Sequence, residues 1–177
     1  MKHCLPALRA GLLMLGLTLP LSACGLWQST KNVTVSAAQK IFLTRVERLN
    51  LDLMASEELN TDAGQRPLTV VVRVYQLKDK AAFMAAPYQT LLEQDQTALA
   101  ADLLASHQVL LRPGAAISLR EPYRQDAAYV GVIALFRQID GGQTWRLLLD
   151  KKELDNDKPL QLELRGYALS RRQAAEQ

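Results

Sequence analysis

Very few of the side chains that build catalytic and metal centres occur in this sequence. Histidine stands only at positions 3 and 107, and cysteine only at positions 4 and 24. That excludes a two-histidine metal site beyond the first few residues and a disulfide framework in the body of the chain. No G-x-S-x-G, G-x-G-x-x-G or G-x-x-x-x-G-K-[S/T] is present, so the nucleophile elbow, the dinucleotide fingerprint and the phosphate loop are missing. Long apolar runs are also missing. A bilayer-spanning helix needs about 20 consecutive apolar residues, whereas the run from Gly11 is interrupted at Pro20 and Ser22. There is no basic stripe with interleaved aromatics, which argues against nucleic acid as a partner.

What the first residues do contain is an ordered leader. Lys2 and Arg9 charge the first ten residues, Gly11 to Leu19 is almost wholly apolar, and Ser22-Ala23 precede Cys24. This is the n-region, h-region and small-residue cleavage site of a secretory signal. The box Leu21-Ser22-Ala23-Cys24 resembles the bacterial lipoprotein signal, cut before a cysteine that then carries a diacylglycerol and an N-acyl chain. On that reading residues 1–23 are removed, Cys24 is the anchor, and several acyl chains make the attachment durable. Gly25 resembles the outer-membrane sorting pattern. Residues 24–40 form a polar tether, and the charge balance of the mature chain is nearly even, because the leader removes two bases and no acid. The remaining 154 residues suit one compact domain, held together by its core rather than by disulfides.

The domain, residues 41–170 with a tail at 171–177, reads as mostly β. Leu49, Leu51 and Leu53 alternate with polar residues, and Thr69 to Leu77 is a β-branched run expected at the centre of a sheet. Between 79 and 105 the pattern becomes helical. Asp79 is placed to cap KAAFMAA, Pro87 interrupts, and Tyr88, Leu92, Asp95, Leu99 and Leu103 mark one face of an amphipathic helix. Extended runs return after Ser106: two strands about Arg112-Pro113-Gly114, a strand to Ile139, a hairpin turn at Asp140-Gly141-Gly142, its partner TWRLLLD, and a last run LQLELRGYALS. Seven or eight short strands with closely spaced turns indicate a β-sandwich with a helical insertion. Asp150 to Asp157 superficially suggests calcium, but the spacing lacks the loop glycine and places Lys152 where a ligand belongs. His107, at a strand start, reads as an edge residue rather than a base.

The segment Leu51 to Asp79 resembles the TssJ family, also called SciN or VasD, the outer-membrane lipoproteins of the type VI secretion system. The resemblance runs through Ala55-Ser56, Asn60, Asp62, Gly64, Arg66-Pro67 and Val70 to Leu77. It continues in Asp102-Leu103-Leu104, Leu111 to Gly114, Tyr129 to Val132 and Phe136-Arg137, and includes the box at Cys24. Gln65 separates Gly64 from Arg66, and Thr69 replaces a common proline, so the loop can differ in shape. The resemblance implies a transthyretin-like two-sheet sandwich, no enzymatic activity, no cofactor beyond the acyl chains on Cys24, and a place on the outer membrane facing the periplasm. There it implies binding to the periplasmic domain of the inner-membrane subunit TssM. The expected partner surface is the long loop Ala55 to Pro67, with Ser56, Glu57, Glu58, Asn60, Thr61 and Asp62 as polar contacts, Leu59 as apolar anchor, Gly64 and Pro67 shaping the turn, and Gln65 within the same surface. Two rival readings are a periplasmic ligand-binding or hydrolytic lipoprotein, which requires a pocket of convergent polar groups, and an assembly-assisting lipoprotein that pairs an exposed sheet edge with a client strand.

Overall fold

The computed structural model describes residues 46–139 and 144–172. The leader, the tether, the Asp140-Gly141-Gly142 turn and the end of the tail lie outside the described residues. Eight strands follow in order, β1 (Arg48–Ala55), β2 (Val70–Leu77), β3 (Leu103–Leu111), β4 (Ala116–Pro122), β5 (Tyr129–Leu135), β6 (Arg146–Asp150), β7 (Leu160–Arg165) and β8 (Ala168–Arg171). Two helices, α1 (Ala81–Ala85) and α2 (Tyr88–Ala98), stand between β2 and β3. The strands form two four-stranded sheets, ordered β4-β1-β7-β8 and β3-β2-β5-β6. The β1–β7 pair is parallel and every other pair is antiparallel.

Period-two patterning puts the core between the sheets. Leu49, Leu51, Leu53, Leu162, Leu164 and Leu169 of one sheet are buried, as are Val70, Val72, Val74, Val130, Val132 and Leu149 of the other. β2 is central, as its unbroken apolar run predicts, and its second face is also covered. The helices lie on that outer face: Arg73 Nη1 donates to the Leu91 and Leu92 carbonyls at 2.9 and 3.2 Å, and the Tyr75 hydroxyl donates to Asp95 at 2.8 Å. Burial, followed by the Asp95 carboxylate, pushes the Tyr75 phenol well above its ordinary value. Phe83 of α1 is buried directly over Gly131, where an added Cβ would lie 2.7–2.9 Å from ring carbons. Arg146 donates to the Phe83 and Ala86 carbonyls, satisfying the C-terminal end of α1.

The helical insertion is shorter than the expected 79–105. Pro87 divides it in two, Gln94 departs from helical geometry, and α2 ends at Ala98. Leu103 and Leu104 belong to β3: the Asp102 carbonyl accepts from Lys78 N–H at 2.9 Å and Leu103 pairs with Leu77. Sheet pairing overrides the helix propensity of leucine and alanine here. Within α2 Leu91 is correspondingly the one buried residue, with Leu92 half-buried and Leu99 buried just past the helix end. The N-cap position of α1 is Lys80 and not the expected Asp79, which stands one residue earlier and accepts from Ala81 N–H at 2.7 Å in a local turn. The last apolar run proves to be two strands, broken where Gly166 takes a positive φ of 55° that a side chain would resist.

Candidate interaction site

Register fixes which loops share an end of the sandwich. β1 finishes beside the start of β4 and the end of β7, through Met54↔Ala116 and Ala55↔Leu164. β2 starts beside the ends of β3 and β5, through Val70↔Leu111 and Val71↔Leu135. The short β3–β4 connection, residues 112–115, passes from one sheet to the other, so these ends coincide. The β1–β2 loop (56–69), the β3–β4 turn, the described parts of the β5–β6 connection (136–139 and 144–145) and the β7–β8 turn therefore cluster together. The chain enters at Val46 and Arg48, at the other end. An eight-residue strand, about 26 Å long, separates the two.

The β1–β2 loop is pinned to its neighbours along its first half. Ser56 N–H donates to the Leu164 carbonyl at 2.9 Å, and the Ser56 carbonyl accepts from Gly114 N–H at 3.1 Å. Asn60 N–H donates to the Gly166 carbonyl at 2.8 Å, while its side-chain oxygen accepts from Arg137 N–H at 2.8 Å. The Tyr167 hydroxyl donates to the Thr61 carbonyl, and its ring meets Phe136 edge-on at 6.4 Å. Asn60 tolerates its φ of 49° because a short polar side chain can bond locally in the left-handed region.

The second half is organised by Asp62. One of its oxygens accepts from Gly64 and Arg66 N–H at 2.8 and 3.0 Å, and the other pairs with the Arg66 guanidinium at 2.7 Å. These bonds, led by the Arg66 backbone, hold the Asp62 carboxyl below its usual value. Gln65, at φ 61°, closes the turn by donating its N–H to the Asp62 carbonyl at 3.0 Å.

The nine residues expected at the partner surface therefore divide. Leu59 is fully buried, with Leu68 N–H bonded to its carbonyl, so it is a core residue and not an anchor offered to a partner. Asn60 is 5% exposed and holds the loop to Arg137 and Gly166. Ser56, Thr61 and Asp62 are half-buried, and Glu57, Glu58, Gly64 and Gln65 are exposed. Period-two or heptad reasoning has no purchase on a loop, which is why Leu59 was misplaced. Sequence reasoning missed Leu68, an exposed leucine beside Pro67, and Tyr167 and Arg137, which come from distant connections.

Glu57 and Glu58 have no side-chain partner among the described residues. With Met54, Ser56, Glu163, Arg165 and Arg172 they border an open cleft of about 640 Å³. A second, smaller hollow of about 220 Å³ lies under α2, but Arg73, Tyr75 and Asp95 in its lining already bond one another. In the acidic segment, Asp150 accepts from Lys152 N–H and Asp155 from Asp157 and Lys158 N–H, so these carboxylates serve the backbone. His107 sits on edge strand β3, its Nδ1 3.7 Å from Glu121. No group of three or more metal-ligating side chains occurs among the described residues.

No curated protein sequence matches the chain. Among solved structures, a chain in one described as "Type VI membrane complex" is 40% identical, covers 72% of this chain and 99% of its own length, and superposes with a TM-score of 0.69. A chain in a structure described as the T6SS protein TssM C-terminal domain from EAEC is 37% identical, with coverage of 73% and 100% and a TM-score of 0.67. Serratia marcescens Lip, described as a membrane bound component of the type VI secretion system, is 29% identical, with coverage of 74% and 99% and a TM-score of 0.64. Residues 47–167 match the family model described as type VI secretion lipoprotein, VasD, EvfM, TssJ. That match runs from the residue before β1 to the turn before β8 and so takes in the first seven strands and both helices, and the chain belongs to the type VI secretion lipoprotein family.

Proposed function

We propose that this chain fastens the type VI membrane complex to the outer membrane. Cys24, lipidated, holds the chain to the periplasmic leaflet. The loop end of the sandwich binds the periplasmic domain of a TssM-type inner-membrane protein. The observation that carries this reading is the state of the β1–β2 loop. Its backbone is pinned to the β3–β4 and β7–β8 turns and its Asn60 side chain to the β5–β6 connection, so little ordering entropy opposes binding, while Glu57 and Glu58 have no side-chain partner among the described residues. Its position supports the same reading, since it lies a strand's length from the end at which the tether joins.

The contact residues proposed are Glu57, Glu58, Gly64 and Gln65, with Arg66, Pro67 and Leu68 added because they are exposed on the same loop. Ser56, Thr61 and Asp62 hold these in place. Deleting the whole loop is a poor test, because it would remove Leu59 from the core. Glu57→Ala with Glu58→Ala and Leu68→Ala is the better one. Affinity purification of the wild-type chain from envelope membranes should recover a large inner-membrane protein with a periplasmic domain, and the triple variant should lose it at unchanged thermal stability. Equal recovery by the triple variant would move the interface off this loop.

A further inference from the structure

A single strand joins the two places that a fastening role would load. β1 continues the chain from Val46, where the tether arrives, and runs directly into Glu57 and Glu58 of the loop. The covalent path from anchor to loop therefore passes through none of the other seven strands. β1 is also interior to its sheet, with β4 on one side and β7 on the other, so it has no free edge from which to be peeled.

Both ends of this path are clamped. At the entry, Glu47 and Arg48 N–H donate to the Asn156 side-chain oxygen at 2.7 and 3.3 Å, and Gln125 Nε2 donates to the Val46 carbonyl at 2.8 Å. The Glu47 carbonyl accepts from Tyr123 N–H at 2.9 Å. At the exit, Ala55 N–H donates to the Ala115 carbonyl at 2.9 Å, and Ser56 is bonded to Leu164 and Gly114. Between the clamps the backbone is already extended. The chain from Glu47 to Glu57 spans about 33 Å at a strand's rise and at most about 36 Å when taut. A force does work only through the length it gains, and here about 3 Å is left to gain. A pull from Glu47 on a residue of a later strand is different, because unfolding releases everything in between. For Ser170 that is about 400 Å of chain.

We propose that β1 is a tension strut. Load between the lipid anchor and the loop partner travels through the backbone of Arg48–Ala55, and the rest of the sandwich, hung on that strand by its ladders and its core, is spared it. The strut rests on the loop being the partner surface. It assigns the load-bearing contacts to Glu57 and Glu58, the first residues off the strand, because a grip at Gly64 to Leu68 would first draw out the slack of the loop.

A DNA spring tests it, a single strand tied to two cysteines that forces them apart when its complement hybridises. In the full chain, with Cys4→Ser and Cys24→Ser removing the other thiols, the spring joins Glu47→Cys either to Glu57→Cys or to Ser170→Cys, all exposed positions. The two spans are matched in length, since Ser170 pairs with Glu163, which pairs with Met54 at the loop end of β1. Urea midpoints are read by tryptophan emission, with buried Trp145 as reporter, and the unhybridised midpoints are the folding control. Hybridisation should lower the midpoint of the 47/170 chain by about 0.5 M or more and leave that of the 47/57 chain within about 0.1 M. Two chains that respond alike, whether both fall or neither does, overturn the proposal, and so does a larger fall in the 47/57 chain. No partner enters this assay, so its failure leaves the loop's assignment standing, whereas equal recovery by the loop triple variant would remove that assignment and leave the strand's mechanics as measured.

Discussion

Leu59 separates a structural from an interfacial role for the first half of the β1–β2 loop. Replacing it with alanine removes three carbons from a fully buried side chain. At about 0.8 kcal/mol per buried carbon the transfer term alone is about 2.4 kcal/mol. A residual cavity brings leucine-to-alanine losses to about 2–5 kcal/mol. Leu59 also sits where the loop turns back, its carbonyl bonded to Leu68 N–H at 3.0 Å, so collapse of the site around the missing carbons is restricted. For a domain of this size each kcal/mol shifts the midpoint by roughly 3–5 °C, and Leu59→Ala should therefore lower it by about 10–20 °C. Glu57→Ala, on an exposed side chain without a partner, should change stability by less than about 0.5 kcal/mol. Circular dichroism melts of the full chain with matched urea titrations read both. A Leu59→Ala midpoint within about 2 °C of wild type, with partner recovery lost, would refute the burial argument and return Leu59 to the surface as an anchor.

Gly131→Ala places a Cβ within 2.7–2.9 Å of the Phe83 ring, and should cost about 1–3 kcal/mol through overpacking; combining it with Phe83→Leu should cost less than the two single losses added, as a thermal double-mutant cycle would show. Asp52, Asp62 and Glu153 all have lowered pKa values, from the Ser118, Arg66 and Arg171 bonds respectively. Their contribution is complete above the unfolded carboxylate values and is lost as pH falls through the lowered ones, so the urea midpoint should be flat above about pH 5 and drop below about pH 4. Asp62→Asn should make that acid slope shallower. Cys24→Ser should abolish incorporation of labelled palmitate and release the chain from membranes; continued labelling would remove Cys24 as the anchor.

How much of this was legible in the sequence depends on whether a residue's environment is set locally. β1 and β2 were readable because alternation at Leu49, Leu51 and Leu53, and the β-branched run after Thr69, encode burial within the strand itself. The end of α2 was not. Leu103 and Leu104 fit a helix by propensity, and only the pairing of Leu103 with Leu77, 26 positions away in the chain, makes them part of a strand. The break at Gly166 was similarly hidden, since a leucine run on both sides reads as continuous. In the loop, its existence and length were clear, and so were its acids. Which of its residues face inward depends on Gly166, Arg137 and Tyr167, about 75 to 107 positions away.

Two surfaces remain when the buried and bonded groups are set aside, and their directions differ. The loop end gathers the connections of both sheets at the far end from Val46, so a partner seated there approaches along the strand axis. The β3 edge faces across the sheet, perpendicular to that axis. Occupying one does not cover the other, apart from the corner where Leu68 leads into β2 and Leu110 pairs beside it at Val71. Both are exposed, and a protein bound to the loop at Leu68 would reach the end of β3 at Leu110 before the rest of that strand. The loop partner should therefore protect Leu110→Cys from maleimide more than Gln108→Cys, with Ser106→Cys protected least. Equal protection of all three would mean that the loop partner lies along the β3 edge itself.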